Sequence, residues 1–225
     1  MTTPVVAPAP VPAEGTRRTA HLDALIIGAG FSGLCVAHQL ARRGFSFRIL
    51  ERAGEVGGTW RDNTYPGCAC DIPSPLYSFS FAQRSGWTRL FPPQPEILDY
   101  LREFSGRDGL RAHIDFHTEV TGAWWREDDS SWLVRTADGA SYTAGCLISA
   151  IGALHVPKIP ALPGLGGFAG PTMHSATWDH RLDLAGKRVA VIGTGASAIQ
   201  FVPRLVDQVA ALTVFQRTPH WILPK

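Results

Sequence analysis

The chain has no stretch approaching the ~18 uncharged apolar residues of a membrane-spanning helix, so no span is expected. It also lacks any surplus of one charge: 21 Lys and Arg stand against 19 Asp and Glu. The basic residues are scattered, which argues against the positive stripe that a nucleic-acid backbone demands. Cysteine is sparse. Cys35, Cys68, Cys70 and Cys146 form no CxxC pair and no His/Cys cluster at zinc spacing, so reduced thiols and no metal site are expected. No secretory leader is expected either, because Pro4, Pro8 and Pro10 break the first apolar run and Arg17-Arg18 come after it. Residues 1–20 read as a flexible Pro/Ala-rich tail, and the protein as a cytoplasmic one.

What is present is a core-forming composition, 45% hydrophobic, and two glycine-rich turns in matching contexts. The first follows the apolar run His21–Ile27 and reads Gly28-Ala-Gly30-Phe31-Ser32-Gly33. Leu34, Ala37, Leu40 and Ala41 then fall on one helical face, Arg42-Arg43-Gly44 closes the helix, and Phe45–Leu50 forms a second strand ending in Glu51-Arg52. This is a βαβ unit in which the glycines permit a tight turn, close approach of a pyrophosphate and close helix packing. Glu51 lies 18 residues beyond Gly33, near the ~20 expected of a carboxylate that accepts from both ribose hydroxyls. It would repel a 2′-phosphate, so the ligand is FAD or NAD.

The second turn follows the strand Lys187–Ile192 and reads Gly193-Thr194-Gly195-Ala196-Ser197-Ala198, opening a helix to about Val206. Its next strand, Leu212–Gln216, ends in Arg217-Thr218 where the first unit has Glu51. A guanidinium and a hydroxyl there suit a 2′-phosphate, which assigns NADPH to this cradle. Between the cradles, Gln94–Phe104 has the spacing of an amphipathic helix, and residues 114–136 alternate with period two around turns at 127–131 and Asp138-Gly139. A small β-meander is expected. Cys146–Gly152 returns the chain to the first sheet, and a proline-rich connector follows.

Three further stretches carry a family resemblance. Gly57-Gly58-Thr59-Trp60 after the Glu51 acid resembles the loop that runs along the flavin in flavin-dependent reductases and monooxygenases, which favours FAD at the first cradle. In the loop that runs on to Tyr77, a cofactor-binding candidate, the order Gly-Gly-x-Trp, Tyr65-Pro66-Gly67 and Asp71 is similar to that of type I Baeyer–Villiger monooxygenases, and Phe168-x-Gly170-x-x-x-His174-x-x-x-Trp178-Asp179 meets that family's fingerprint at every fixed position. By residue chemistry alone Asp71 is a turn aspartate and His174 a partly buried histidine; the resemblance implies a place near the reacting centre for both. It also implies backbone near Val120 touching the adenine, and an active-site arginine oriented by Asp71 that has no counterpart in this chain.

The resulting expectation is an α/β protein of two Rossmann-like units, FAD then NADP, the second truncated and the first carrying the meander. Its boundaries are 21–153 for the FAD domain, 154–185 for a linker with the fingerprint, and 186–225 for the start of the NADP domain. The resemblance implies NADPH-dependent insertion of one oxygen atom from O2 beside a ketone carbonyl, giving an ester or lactone. An N- or S-oxygenating monooxygenase and a non-catalytic nucleotide-binding remnant are the alternatives. Ending after one βαβ of the second unit, these residues are expected to expose a sheet edge and an apolar face, to retain FAD poorly and not to turn over alone.

Overall fold

The computed structural model describes residues Arg17–Arg18, 20–219 and Trp221. The chain divides into two compact units, one made of residues up to Val56 together with Ser105–Ile151, the other of Gly57–Phe104 together with residues from Gly152 onward. These units are drawn differently from the sequence-based boundaries. Gly57–Phe104, expected inside the first domain, groups with the second cradle, because Tyr65 and Cys68 share a buried cluster with Val191, Ala198, Phe201 and Leu205.

The first unit is built on one mixed sheet. β1 is Arg17–Arg18, β2 Leu22–Ile27, β3 Phe47–Leu50, β4 Ile114–Asp115, β5 Val120–Arg126, β6 Ser131–Thr136 and β7 Ala140–Ser149. The spatial order is β4-β3-β2-β7-β6-β5, with β1 also on β7. β2, β3 and β4 pair in parallel, and α1, Phe31–Ala41, connects β2 to β3. Leu25, Ile26, Ile49 and Leu50 are fully or almost fully buried, as parallel strands with covered faces require.

Two features depart from expectation. The flexible tail expected over 1–20 lies mostly outside the described residues, but Arg17–Arg18 form a short strand opposite Ala140–Ser141, continuing the line along β7 that Leu22 takes up at Ala144. The period-two pattern starting at Ile114 does not give one strand either. His117 adopts φ 55°, which ends β4 and turns the chain before β5 begins at Val120. The meander β5-β6-β7 is antiparallel, and β7 is at once its third strand and a central strand of the parallel sheet.

At the β4 side of this sheet Arg48 meets Asp115 through two nitrogens, and Tyr142 on β7 donates to Asp115 Oδ2 at 3.2 Å. The hydrogen bond to Asp115 raises the guanidinium pKa, whereas burial, ahead of the Asp115 charge, raises that of Tyr142.

In the second unit, α2 is the single turn Thr59–Asp62, α3 Gln94–Ser105, β8 Arg188–Ile192, α4 Ala196–Leu205 and β9 Ala211–Phe215. β8 and β9 pair in parallel and α4 packs on them through Ala198, Phe201 and Leu205. The other side is uncovered: Ile192 is 59% and Phe215 57% exposed. α3 buries Ile97, Tyr100, Leu101 and Phe104. The Phe79 ring lies tilted against Phe104 at 4.5 Å, and Phe79 donates its N–H to the Tyr100 hydroxyl, which donates on to Ala82 C=O.

Candidate functional site

Both glycine turns lie between a parallel strand and the start of a helix. Gly28 ends β2 with φ 101°, and a Cβ there would lie 2.6 Å from the Ala150 carbonyl oxygen. Its N–H donates to Leu50 C=O at 2.9 Å, tying the turn to β3. On Gly33, in the first turn of α1, a Cβ would collide with the Gly28 carbonyl oxygen. Gly30 is the opposite case, with nothing within 4 Å of a Cβ: open space where a phosphate can come down on the backbone. Phe31 and Ser32 form the helix start just beyond it, half-buried and exposed respectively.

The starts of α1 and α4 share one property. Each is preceded by a glycine, Gly30 or Gly195, with no side-chain cap and no acid in its first turn, whereas α3 carries Glu96 there. A helix start without a side-chain cap or an acid presents the positive end of its dipole, which favours an anion. Gly193, at φ 103°, and Gly195 likewise open onto empty space, and Ala198 replaces the packing glycine as a buried contact of α4.

Glu51 is only 4% exposed. Its Oε2 accepts from the Ala29 N–H in the glycine turn at 2.8 Å, and its Oε1 from Ala53 at 2.9 Å, so the carboxylate is pinned beside the cradle. Thr118 N–H donates to Glu51 C=O at 2.8 Å, which brings the chain past it two residues before Val120. Val120 packs at the edge of the Leu25, Leu50 and Val134 cluster. Arg52 is exposed beside this group. These first-cradle residues, from Gly28 to Val120, all belong to the first unit.

The second unit gathers the others. Gly58 precedes α2, Thr59 opens it, and Trp60 donates its indole N–H to the Tyr77 hydroxyl at 3.0 Å, the two rings meeting edge-on at 5.5 Å. Burial raises the Tyr77 pKa, with the charge of the exposed Asp71 as a lesser contribution. His174 accepts the Ala176 N–H on Nδ1 at 3.1 Å and so caps the turn Ser175–Thr177, which leaves its neutral proton on Nε2. Trp178 packs on Phe201 at 5.2 Å, and Asp179 is held at a pKa of about 2 by hydrogen bonds from Arg181. Phe168 is 60% exposed, and its ring lies against its own chain at Gly170, where a Cβ would come within 2.6 Å. Thr194 Oγ1 donates to Thr218 C=O at 3.4 Å, which joins the cradle to the strand end carrying the exposed Arg217.

The sequence reading missed Gln200. Its Oε1 accepts from the Tyr65 hydroxyl at 3.0 Å and the Ala69 N–H at 3.2 Å, while its Nε2 donates to Ala69 C=O at 2.9 Å. The one available signal was a lone amide in the apolar run Ala198-Ile-Gln-Phe-Val202. Burial pushes the Tyr65 pKa up to about 12, a hydrogen bond with Ser197 opposing it. A phenol held neutral in the fold stabilises fully below about pH 10, and that contribution is lost as pH rises through 12. The tyrosinate absorbance should therefore show a last phase near pH 12 that Tyr65→Phe removes; an unchanged curve refutes this assignment.

Fold and glycine turns together define a Rossmann-like dinucleotide-binding protein, and residues 26–104 match the NAD(P)-binding Rossmann-like domain model. The chain is 51% identical to a Baeyer-Villiger monooxygenase of Streptomyces coelicolor over 91% of its length, and 50% identical to one of Pseudomonas aeruginosa over 91%. It superposes on cyclohexanone monooxygenase with a TM-score of 0.85 at 43% identity, covering 92% of this chain and 40% of that one. For a steroid monooxygenase bound to NADP the TM-score is 0.84 at 41% identity, with 91% and 40% coverage. The chain belongs to the type I Baeyer–Villiger monooxygenase family, and it spans about 40% of the length of the curated relatives it matches.

Proposed function

We propose that the chain supplies the FAD cradle and the opening of the NADPH cradle of a Baeyer–Villiger monooxygenase, which converts a ketone, O2, NADPH and a proton into an ester or lactone, NADP+ and water. The observation that carries the cofactor assignment is the exchange at equivalent strand ends. β3 ends in the buried, backbone-pinned Glu51, and β9 ends in the exposed Arg217-Thr218. A carboxylate accepts hydrogen bonds from ribose hydroxyls and repels a 2′-phosphate; a guanidinium attracts one.

In this reading Gly30 and the first turn of α1 receive the FAD pyrophosphate while Glu51 accepts from the ribose. Gly195, Ala196 and Ser197 receive the NADPH pyrophosphate, with Arg217 and Thr218 on the 2′-phosphate. FAD, when bound, supplies the redox chemistry that activates O2. The chain's own contribution is to bind and orient: Trp60 and Tyr77 brace the loop that carries Asp71, and His174 sets the backbone turn before Trp178. In this reading the exposed Asp71 charge-balances a cationic group at the reacting centre.

Calorimetric titration tests the assignment. NADP+ should bind more tightly than NAD+, and Arg217→Ala should weaken NADP+ by about 10- to 100-fold, a loss of about 1.5–3 kcal/mol, while leaving NAD+ unchanged. Equal affinity for the two nucleotides in the unmodified chain would sink the reading.

A further inference from the structure

We infer that Gln200 is a positioning residue that ties the loop bearing Asp71 to the helix of the second cradle, so that nucleotide bound at the start of α4 orders that loop. The inference rests on the proposed role of α4 as a phosphate-binding helix. Gln200 presents one acceptor and one donor, and it uses both on Ala69, pairing with its N–H and C=O as a neighbouring peptide would in a sheet. The same oxygen takes the Tyr65 hydroxyl. The loop is thereby held at both ends of the run Tyr65–Ala69, two residues before Asp71.

Gly67 shows how closely the loop is seated. Its φ is 79°, and a Cβ would lie 2.9 Å from the Gln200 carbonyl oxygen and 3.1 Å from Arg204 Cγ, so the loop backbone lies directly on α4. Beneath it Tyr65 and Cys68 are buried against Phe201 and Leu205. Packing alone would be satisfied by apolar contact anywhere along the helix. The clamp instead falls one turn from the start of α4, three residues after Ser197. The turn that would close on a phosphate and the turn that grips the loop are thus adjacent on one helix. Fixing the first restricts the second, and the coupling must act equally in both directions.

Hydrogen exchange of the 65–71 amides, measured on the 225-residue chain with and without saturating NADP+, tests this. In the unmodified chain NADP+ should slow exchange there by about 5-fold or more. In Gln200→Leu that nucleotide-dependent protection should vanish, and NADP+ affinity should fall by about the same factor. Gln200→Glu, which keeps the acceptor and loses the donor, should retain part of both effects. Tyr65→Phe is the second variant should Gln200→Leu not fold, and it too should lose protection and affinity together. A merely structural clamp would raise loop exchange equally with and without nucleotide and leave affinity unchanged; that result overturns the inference, as does bound NADP+ without protection in the unmodified chain. If calorimetry detects no NADP+ binding at all, the reading of the cradle fails instead, and the inference falls with it.

Discussion

Replacing Gly33 by alanine should lower the unfolding free energy of the first unit by about 2 kcal/mol or more, although alanine is the better helix former by about 1 kcal/mol. The added methyl group would occupy the position of the Gly28 carbonyl oxygen, and that oxygen belongs to a turn with φ 101° already pressed against Ala150. Neither backbone can retreat cheaply, so the collision outweighs the gain in propensity. Gly30→Ala is the control three residues earlier. It meets open space, so its unfolding free energy should stay within about 1 kcal/mol of the parent, yet its methyl group would stand where a pyrophosphate must approach. Chemical denaturation and FAD titration of the two variants should therefore move in opposite ways: Gly33→Ala loses stability, Gly30→Ala loses ligand. Equal stability of both variants would show that the Gly28–Gly33 contact has no energetic weight.

The second large effect is expected at Glu51. Its two oxygens accept from two different backbone N–H groups, Ala29 and Ala53, in a site almost closed to water. Glutamine has the same shape but one acceptor. Whichever way the amide is turned, an NH2 faces a backbone N–H, leaving buried donors unpaired at a cost of about 1–3 kcal/mol, and the negative charge is gone. Glu51→Gln should lower the midpoint of denaturation and weaken FAD by about 10-fold or more, more than Arg52→Gln at the exposed neighbouring position. Retention of full FAD affinity by Glu51→Gln would remove the carboxylate from the proposed binding group.

The βαβ units were legible in the sequence because everything that makes them is local: an apolar strand, glycines at fixed offsets, a helical period, and a charged or polar strand end within about thirty residues. The sorting of Gly57–Phe104 was not legible. It depends on a pairing between Tyr65 or Ala69 and Gln200, more than 130 residues apart, and no periodicity in either segment announces it. The Tyr65-Pro66-Gly67 motif could be seen, but its reason could not: Gly67 is required by the α4 backbone above it. His117 misled the strand reading in a comparable way. Ile114, Phe116, Thr118 and Val120 alternate as a strand would, but a single residue at positive φ divides them between two edges of the sheet. His174 was legible as part of a fingerprint, while its backbone cap on Ala176 is a detail that only coordinates supply.

β7 has a consequence for how the first unit comes apart. Ala144 faces Leu22 on one side and Trp132 on the other, so one residue belongs to the parallel and the antiparallel ladder at once. A slip of one position would turn every side chain of β7 to the wrong face for both partners. The meander therefore has no independent melting step. Heating should reveal one cooperative loss of structure in which the Trp124, Trp125 and Trp132 hairpin and the dinucleotide cradle disappear together.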